Sequence, residues 1–423
     1  MYYPISNIQK QFYINNMMYP KDTSYLIPSL FKVKGKVHVD LLEKSINTII
    51  GRYDILRSFY VREGNQILQS FVDENDAKIK VAQVFIPGIY DGVEFLGLKE
   101  EIHQLFALDK WPLFRIKLFS FKNDISILAI TFHHIIIDLH SKKIFGKELS
   151  SYYNQFLKNI DLNVEEVANS YTEFVSWENE KLCTQDADRM IGFWKKHLVG
   201  ADLVLDLPTD HKRPSLSSKK GKRIYFTLDK LKTESVKKIG MKISIDPFVI
   251  LLSAYALLCS RLSNQDHVIV GVPVTNRRKP DFKNIFGPFL NIVPIHVDFS
   301  SINDENDLLK QVRISLLQAH RNQEIPFLFL LENIEFQKSF SRNPIFQIGF
   351  TSEPPMEVNF DGLSISPLVI EKLGSQLDLF FTFWERGGEI HVFLEYSSDL
   401  FNDSTIRKWI ENYKEIVTEL VSS

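Results

Sequence analysis

Cysteine is scarce in this chain: its 423 residues include two, Cys183 and Cys259. One lies in a polar stretch and the other in an apolar helical pattern, so no disulfide framework is expected. That scarcity accords with a reducing cytosol, and neither cysteine has the spacing of a zinc site. Glycine-rich nucleotide loops of the G-x-x-x-x-G-K-[ST] or G-x-G-x-x-G kind are missing. The chain is therefore not expected to activate a substrate with ATP, and an already activated substrate must be delivered to it. No uninterrupted apolar run reaches the length of a membrane span. The opening Met1-Tyr2-Tyr3-Pro4 has no basic region followed by an apolar core, so no signal peptide is read. Excess charge is missing too. A formal net charge of −2 gives no reason to expect nucleic acid or an anionic membrane as a general partner. The one short basic run, Lys219-Lys220-Gly221-Lys222-Arg223, reads as a solvated loop before a strand. No short-period repeat is evident.

What is present is apolar and aromatic. With 33 phenylalanines, large buried surfaces are available, and 423 residues exceed one ordinary core, so two or three domains are expected. Hydrophobic periodicity marks a helix from Asp40 with Glu43 in capping-box position; its buried face carries Leu41, Leu42, Ser45, Ile46, Ile49 and Ile50. A hairpin is predicted around Glu63-Gly64-Asn65, and strands over 113–121 and 125–132. The second of these is apolar on both faces, as a central strand should be. Ser141 is positioned to cap a helix whose Ile144, Phe145, Leu149, Tyr152 and Phe156 recur at helical spacing. The polar stretch 158–170 reads as a loop or crossing, with a division of the chain near Trp177 to Lys181. Beyond it the pattern repeats in outline. Helices are predicted at 191–198, 247–262, 305–320 and 403–420, and strands at 223–228, 268–274, 346–351, 380–384 and 390–395. The fold class is α+β.

The most informative stretch is Thr131-Phe132-His133-His134-Ile135-Ile136-Ile137-Asp138-Leu139-His140-Ser141. Adjacent strand side chains point to opposite faces, so one imidazole can face a cavity while the other supports the fold. A neutral imidazole can take a proton from an attacking amine or alcohol near neutral pH. The carboxylate of Asp138 can hold the turn if a cation meets it. His103, His197, His211, His320 and His391 are scattered, have no metal spacing, and read as surface or packing residues.

The stretch resembles the HHxxxDG signature of the condensation domains of nonribosomal peptide synthetases. Six further stretches resemble that family's motifs in order. They are Ser6-Asn7-Ile8-Gln9-Lys10-Gln11-Phe12-Tyr13, Arg52-Tyr53-Asp54-Ile55-Leu56-Arg57-Ser58-Phe59, and Tyr171-Thr172-Glu173-Phe174-Val175-Ser176-Trp177. Phe286-Gly287-Pro288-Phe289-Leu290-Asn291, His320 through Phe327, and Ser341-Arg342-Asn343-Pro344-Ile345-Phe346-Gln347 complete the set.

The resemblance implies two lobes similar to chloramphenicol acetyltransferase, arranged as a V around a tunnel. Residues 1–178 would form the lobe with the HHxxxD loop, and 179–423 the lobe completing the tunnel. It implies an acyltransferase that joins a thioester-borne acyl or aminoacyl donor to an amine. Phosphopantetheine arms of donor and acceptor peptidyl carrier proteins would deliver the substrates, with no cofactor or metal held by the chain itself. His134 would be catalytic, with His133, Asp138 and Arg57 in support and Asp138 paired with Arg57. Leu139, Ser141, Phe289 and Asn291 would line the substrate tunnel. A cytoplasmic monomer is expected, either free-standing or one domain of a longer protein. The sequence departs from the family at Leu139, where the signature has Gly, at Tyr53-Asp54, where it has His-Glu, and at Ile292, where it has Thr. Leu139 is expected to narrow the tunnel beside His134. Epimerisation of a carrier-bound aminoacyl group, and a silent domain that recruits a partner enzyme, stand as the alternatives.

Overall fold

The computed structural model describes residues 1–90, 92, 95–162, 169–336, 339–368 and 374–422. Part of the polar stretch 158–170 therefore lies outside the described residues. In chain order the elements begin with β1 (Tyr3–Pro4), α1 (Asn7–Met18), β2 (Leu26–Lys34), α2 (Val39–Arg52), β3 (Ser58–Glu63), β4 (Gln66–Phe71) and β5 (Ala82–Phe85). Next come α3 (Leu96–His103), β6 (Phe114–Ser120), β7 (Ile125–His133), α4 (Leu139–Leu157), α5 (Tyr171–Lys181), α6 (Gln185–His197), β8 (Gly221–Leu228), α7 (Lys230–Lys242) and α8 (Pro247–Ser263). The last are β9 (His267–Val274), β10 (Asn291–Asp298), α9 (Glu305–Arg321), α10 (Phe327–Asn333), β11 (Ile348–Ser352), β12 (Ser364–Pro367), β13 (Leu379–Arg386), β14 (Glu389–Ser397) and α11 (Asp403–Ser422).

These elements form two compact units. The first holds Met1–Cys183, Arg277–Phe289 and Pro355–Ile370; the second holds Thr184–Asn276, Leu290–Pro354 and Glu371–Ser423. The division is not the single cut near residue 178, because two later segments return to the first unit. One of them contributes β12, which pairs antiparallel with β2.

The first unit contains a five-stranded sheet in the order β12-β2-β7-β6-β5 and a small sheet, β1-β4-β3. Strand β7 lies inside the larger sheet, and Ile127, Leu128, Ala129, Ile130 and Phe132 are all fully buried. The Ile, Leu and Phe side chains among them each contribute about 1.5–3 kcal/mol by leaving water, which anchors the strand that leads into the signature loop. Helix α2 buries Leu42, Ser45, Ile46, Ile49 and Ile50, as its periodicity implies. Its predicted capping box does not form. The N-cap is His38, which makes no side-chain cap bond, and the Glu43 carboxylate instead accepts from the Val81 N–H at 2.9 Å. The box forms in α1, where Ser6 and Gln9 satisfy each other's backbone donors.

The second unit has a six-stranded sheet, β10-β9-β11-β13-β14-β8. Strand β10 escapes the hydrophobic pattern because Pro294 interrupts it. Its place at the sheet edge, paired with β9, tolerates a residue without an N–H. No single described helix is long and apolar enough to cross a membrane.

The second unit also gathers three histidines, of which the sequence marks only His197, as scattered. His267 Nδ1 lies 3.2 Å from His296 Nε2, His296 Nδ1 3.2 Å from the His197 carbonyl, and His197 Nε2 3.3 Å from Ser315 Oγ. Ser315 donates to the His296 carbonyl at 3.1 Å. Carbonyls only accept, so His296 Nδ1 carries a proton, and because Ser315 spends its hydrogen on the His296 carbonyl, His197 Nε2 donates to Ser315 Oγ. Burial, then the neighbouring His296, pulls the His197 pKa down to about 4. In the first unit burial, then His134, pulls His133 down to about 3. Unfolded histidines bind protons near pH 6.5. This stabilisation is therefore complete above that value and falls as pH drops toward 4, by roughly 2 kcal/mol per group at pH 5. Glu148 and Glu178, raised by burial, act in the opposite direction, so the measurement must be differential. Urea unfolding of wild type and His197→Gln from pH 7 to 5 is expected to show the variant's deficit shrinking as pH falls. A deficit constant with pH would mean that the ring titrates alike in both states.

Candidate active site

The signature occupies the passage from β7 to α4 in the first unit. The strand ends at His133, residues His134–Ile136 make one 3-10 turn, and Asp138 caps α4. His133 is buried; its Nδ1 accepts the Ile135 N–H at 3.1 Å. It is a structural imidazole held neutral. His134 is half-buried. Its Nδ1 lies 2.7 Å from the Ile137 carbonyl, which can only accept. Nδ1 therefore carries the proton, and the basic lone pair of the neutral ring is on Nε2. The Phe12 ring stacks on the imidazole with centroids 4.9 Å apart and planes at 28°. The His134 N–H donates to the Tyr25 carbonyl at 2.9 Å. The second histidine of the pair thus has an oriented ring and a defined tautomer.

Asp138 does not pair with Arg57. Its two carboxylate oxygens accept from Arg277 Nη2 at 3.1 and 3.0 Å, and both side chains are 4% exposed. The same carboxylate accepts the Ser141 N–H at 2.8 Å and the Phe289 N–H at 3.1 Å. Arg57 instead donates to the Ile50 and Gly51 carbonyls at 2.9 and 2.8 Å, where it satisfies acceptors left open near the end of α2. The two terminal nitrogens of Arg277 are engaged around Asp138, while its buried Nε makes no hydrogen bond. Its Nη1 reaches the Phe282 and Ile285 carbonyls, and its Nη2 reaches Ser141 Oγ and the Gly287 carbonyl. Its guanidinium lies 3.9 Å from the Phe289 ring centre. A buried ion pair with this many charge-assisted bonds locks geometry more than it adds stability.

The residues expected to line a tunnel have other work. Ser141 is not the N-cap of α4; Asp138 is. The Ser141 hydroxyl donates to the Gly287 carbonyl and accepts the Gly287 N–H, both at 3.0 Å. Phe289 is buried against Tyr171, Phe174 and Phe282. Asn291, in the second unit, is buried. Its amide donates to the Gln323 and Ile325 carbonyls at 2.8 and 2.6 Å, and its oxygen accepts the Phe327 N–H at 2.9 Å. Those bonds join two of the motif stretches and fix a loop. Leu139 is half-buried at the first position of α4, and it is not among the residues with positive φ. The Gly-to-Leu departure therefore carries no backbone strain; any effect on substrates comes from the side chain alone.

Gly287 is different. Its φ is +150°, and a Cβ there would sit 2.2 Å from the Tyr171 ring, so only glycine fits. Tyr171 donates to the Pro288 carbonyl at 2.8 Å and bonds Ser6 Oγ at 2.8 Å. Gln9 donates to Tyr60 Oη at 2.8 Å and reaches the Ile135 carbonyl at 3.4 Å. The opening motif thus reaches the signature turn directly. The sequence carried a local signal for Ser6 and Gln9, the S-x-x-Q capping box. Nothing local marks Arg277 as the partner of Asp138. Among the described residues, no group of three His, Cys, Asp or Glu side chains is placed to hold a metal ion.

The chain thus places an oriented, single-tautomer histidine after a buried strand and a salt-bridged aspartate at the cap of the next helix, the arrangement of its HHxxxD motif. The Condensation domain family model matches residues 1–423, and the chain belongs to that family. It is 29% identical over 411 residues to malpinin synthetase of Mortierella alpina, covering 96% of this chain and 5% of that protein. It is 28% identical over 425 residues to gramicidin S synthase 2 of Brevibacillus brevis, covering 100% of this chain and 9% of that protein. The chain therefore spans a small part of the relatives it matches. In fold it is similar to the four-domain nonribosomal peptide synthetase AB3403, with a TM-score of 0.88 at 22% identity over 100% of this chain and 33% of that one. The X-domain from teicoplanin biosynthesis gives 0.84 at 21% identity over 99% of this chain and 94% of that one. The epimerization domain from the third module of tyrocidine synthetase B gives 0.82 at 18% identity over 100% of this chain and 97% of that one.

Proposed function

We propose that this chain forms an amide bond between a thioester-borne acyl or aminoacyl donor and the amine of an acceptor in nonribosomal peptide biosynthesis. The observation that carries this reading is the His134 ring, with Nδ1–H tied to the Ile137 carbonyl and the basic lone pair on Nε2. Donor and acceptor arrive on phosphopantetheine arms of carrier proteins, in the cytoplasm, and the arms are substrates and not resident cofactors. The acceptor amine attacks the thioester carbonyl, and the new C–N bond forms. As the tetrahedral centre collapses, the C–S bond breaks, and the amine proton passes through Nε2 to the leaving thiolate. Holding both reactants in line lowers the barrier by up to about 7–11 kcal/mol, and a positioned base adds about 10²–10⁴-fold. Neither effect needs ATP, because the thioester is already activated.

A second reading is a domain that binds carrier proteins or another enzyme without catalysis. The fold likeness to the X-domain, which has also been solved in complex with OxyB, and Leu139 in the place of the signature Gly favour it. The retained imidazole and the intact Asp138–Arg277 clamp favour catalysis. Incubation with loaded donor and acceptor carriers, followed by intact mass measurement and chiral analysis, separates the readings. Transfer of the donor to the acceptor carrier is the expected result. An inverted stereocentre without transfer would mean epimerisation, and binding without either would mean recruitment.

A further inference from the structure

We propose that Phe12 is a positioning residue for His134: its ring face fixes the plane of the imidazole so that Nε2 keeps one direction. This inference rests on the amide-forming reading above and deepens it. The Ile137 carbonyl holds Nδ1 at 2.7 Å, and a hydrogen bond to a carbonyl by itself permits rotation of a ring plane about the contact. The stacked Phe12 ring, at 4.9 Å and 28°, closes off that rotation. Phe12 is itself immobilised. It is 3% exposed and packs against Tyr25 with centroids 4.9 Å apart. The Tyr25 carbonyl accepts the His134 N–H, so one residue braces the backbone and the stacked ring together. The helix bearing Phe12 is tied to the same turn by Gln9, which reaches the Ile135 carbonyl. The opening motif therefore acts on the chemistry through the orientation of one ring.

A small misplacement of a catalytic group can cost about 100-fold in rate. In the carrier assay, Phe12→Ala is expected to lower kcat by about 10-fold or more while KM stays within about twofold, the pattern of an interaction used in the transition state. Phe12→Met refills the ring face with a flexible apolar chain and is expected to recover most of the rate. Thermal unfolding verifies that each variant is folded. If Phe12→Ala does not fold, Phe12→Val, which leaves part of the face uncovered, is carried through the same measurements. A second readout does not depend on turnover. The His134 ring proton resonance, assigned by its loss in His134→Gln, is shifted upfield by the stacked ring and should move downfield in every variant that lacks it. Full activity in the folded Ala or Val variant, a loss expressed only in KM, or an unmoved resonance would overturn the proposal. If wild type forms no amide with any carrier pair, the functional reading fails separately. The resonance then decides the matter alone: movement supports the positioning role and stillness defeats it.

Discussion

His134→Ala is expected to abolish amide formation in a protein that folds like wild type. The side chain is half-buried at the turn between β7 and α4, and truncation removes the Ile137 contact and the Phe12 stack without exposing the strand beneath. Loss of a general base costs about 10²–10⁴-fold, and loss of an orienting acceptor costs less. Single-turnover transfer between loaded carriers, measured beside the melting temperature, checks this. Wild-type turnover in a folded His134→Ala protein would sink the catalytic assignment. The neighbouring His133→Gln should show the opposite balance. His133 accepts the Ile135 N–H in the core, so stability should fall and the residual folded protein should still turn over.

Arg277→Met is expected to destabilise the first unit by about 3–5 kcal/mol, the cost of leaving a buried carboxylate without its cation. The side chains of Asp138 and Arg277 are both 4% exposed, so water cannot replace the lost partner. The double variant Asp138→Asn with Arg277→Met should recover part of the loss, because no charge is left uncompensated. Arg57→Met removes two bonds to backbone carbonyls and is expected to cost less, about 1–3 kcal/mol. Urea unfolding of the four proteins ranks these effects. A larger loss at Arg57 than at Arg277 would contradict the ion pair described here. Activity should follow the loop: a folded Arg277→Met protein should lose rate, because Asp138 caps the helix that begins beside His134.

The parts of the site that could be read from sequence are those set by neighbours in the chain. The apolar run before His133 specifies a buried strand, and the alternation of side chains separates the roles of His133 and His134. Gly287 was legible as a motif glycine, although its reason, the approach of Tyr171, was not. Asp40 and Glu43 show where local signals mislead. The capping-box spacing is present, but the Glu43 carboxylate meets the Val81 N–H, and a tertiary partner wins over the local one. Ser141 fails similarly. It is a good N-cap residue by type, yet Asp138 three residues earlier takes that role, and the freed hydroxyl joins the Gly287 backbone.

By itself the sequence determined the central strand, most of the helices, the order of the motifs and the HHxxxD stretch on which the proposed chemistry rests. Each depends on periodicity, residue type or spacing, which act over a few residues. Only the tertiary structure decided which of the Arg and Lys side chains neutralises Asp138, how residues 277–289 and 355–370 return to the first unit, which nitrogen of His134 carries the proton, and which ring lies on it. These depend on contacts between residues far apart in the chain. Asp138 and Arg277 stand 139 positions apart, and Phe12 and His134 meet only after α1 has docked on the signature turn. A buried charge requires a partner, but the requirement names no position, and folding supplies it.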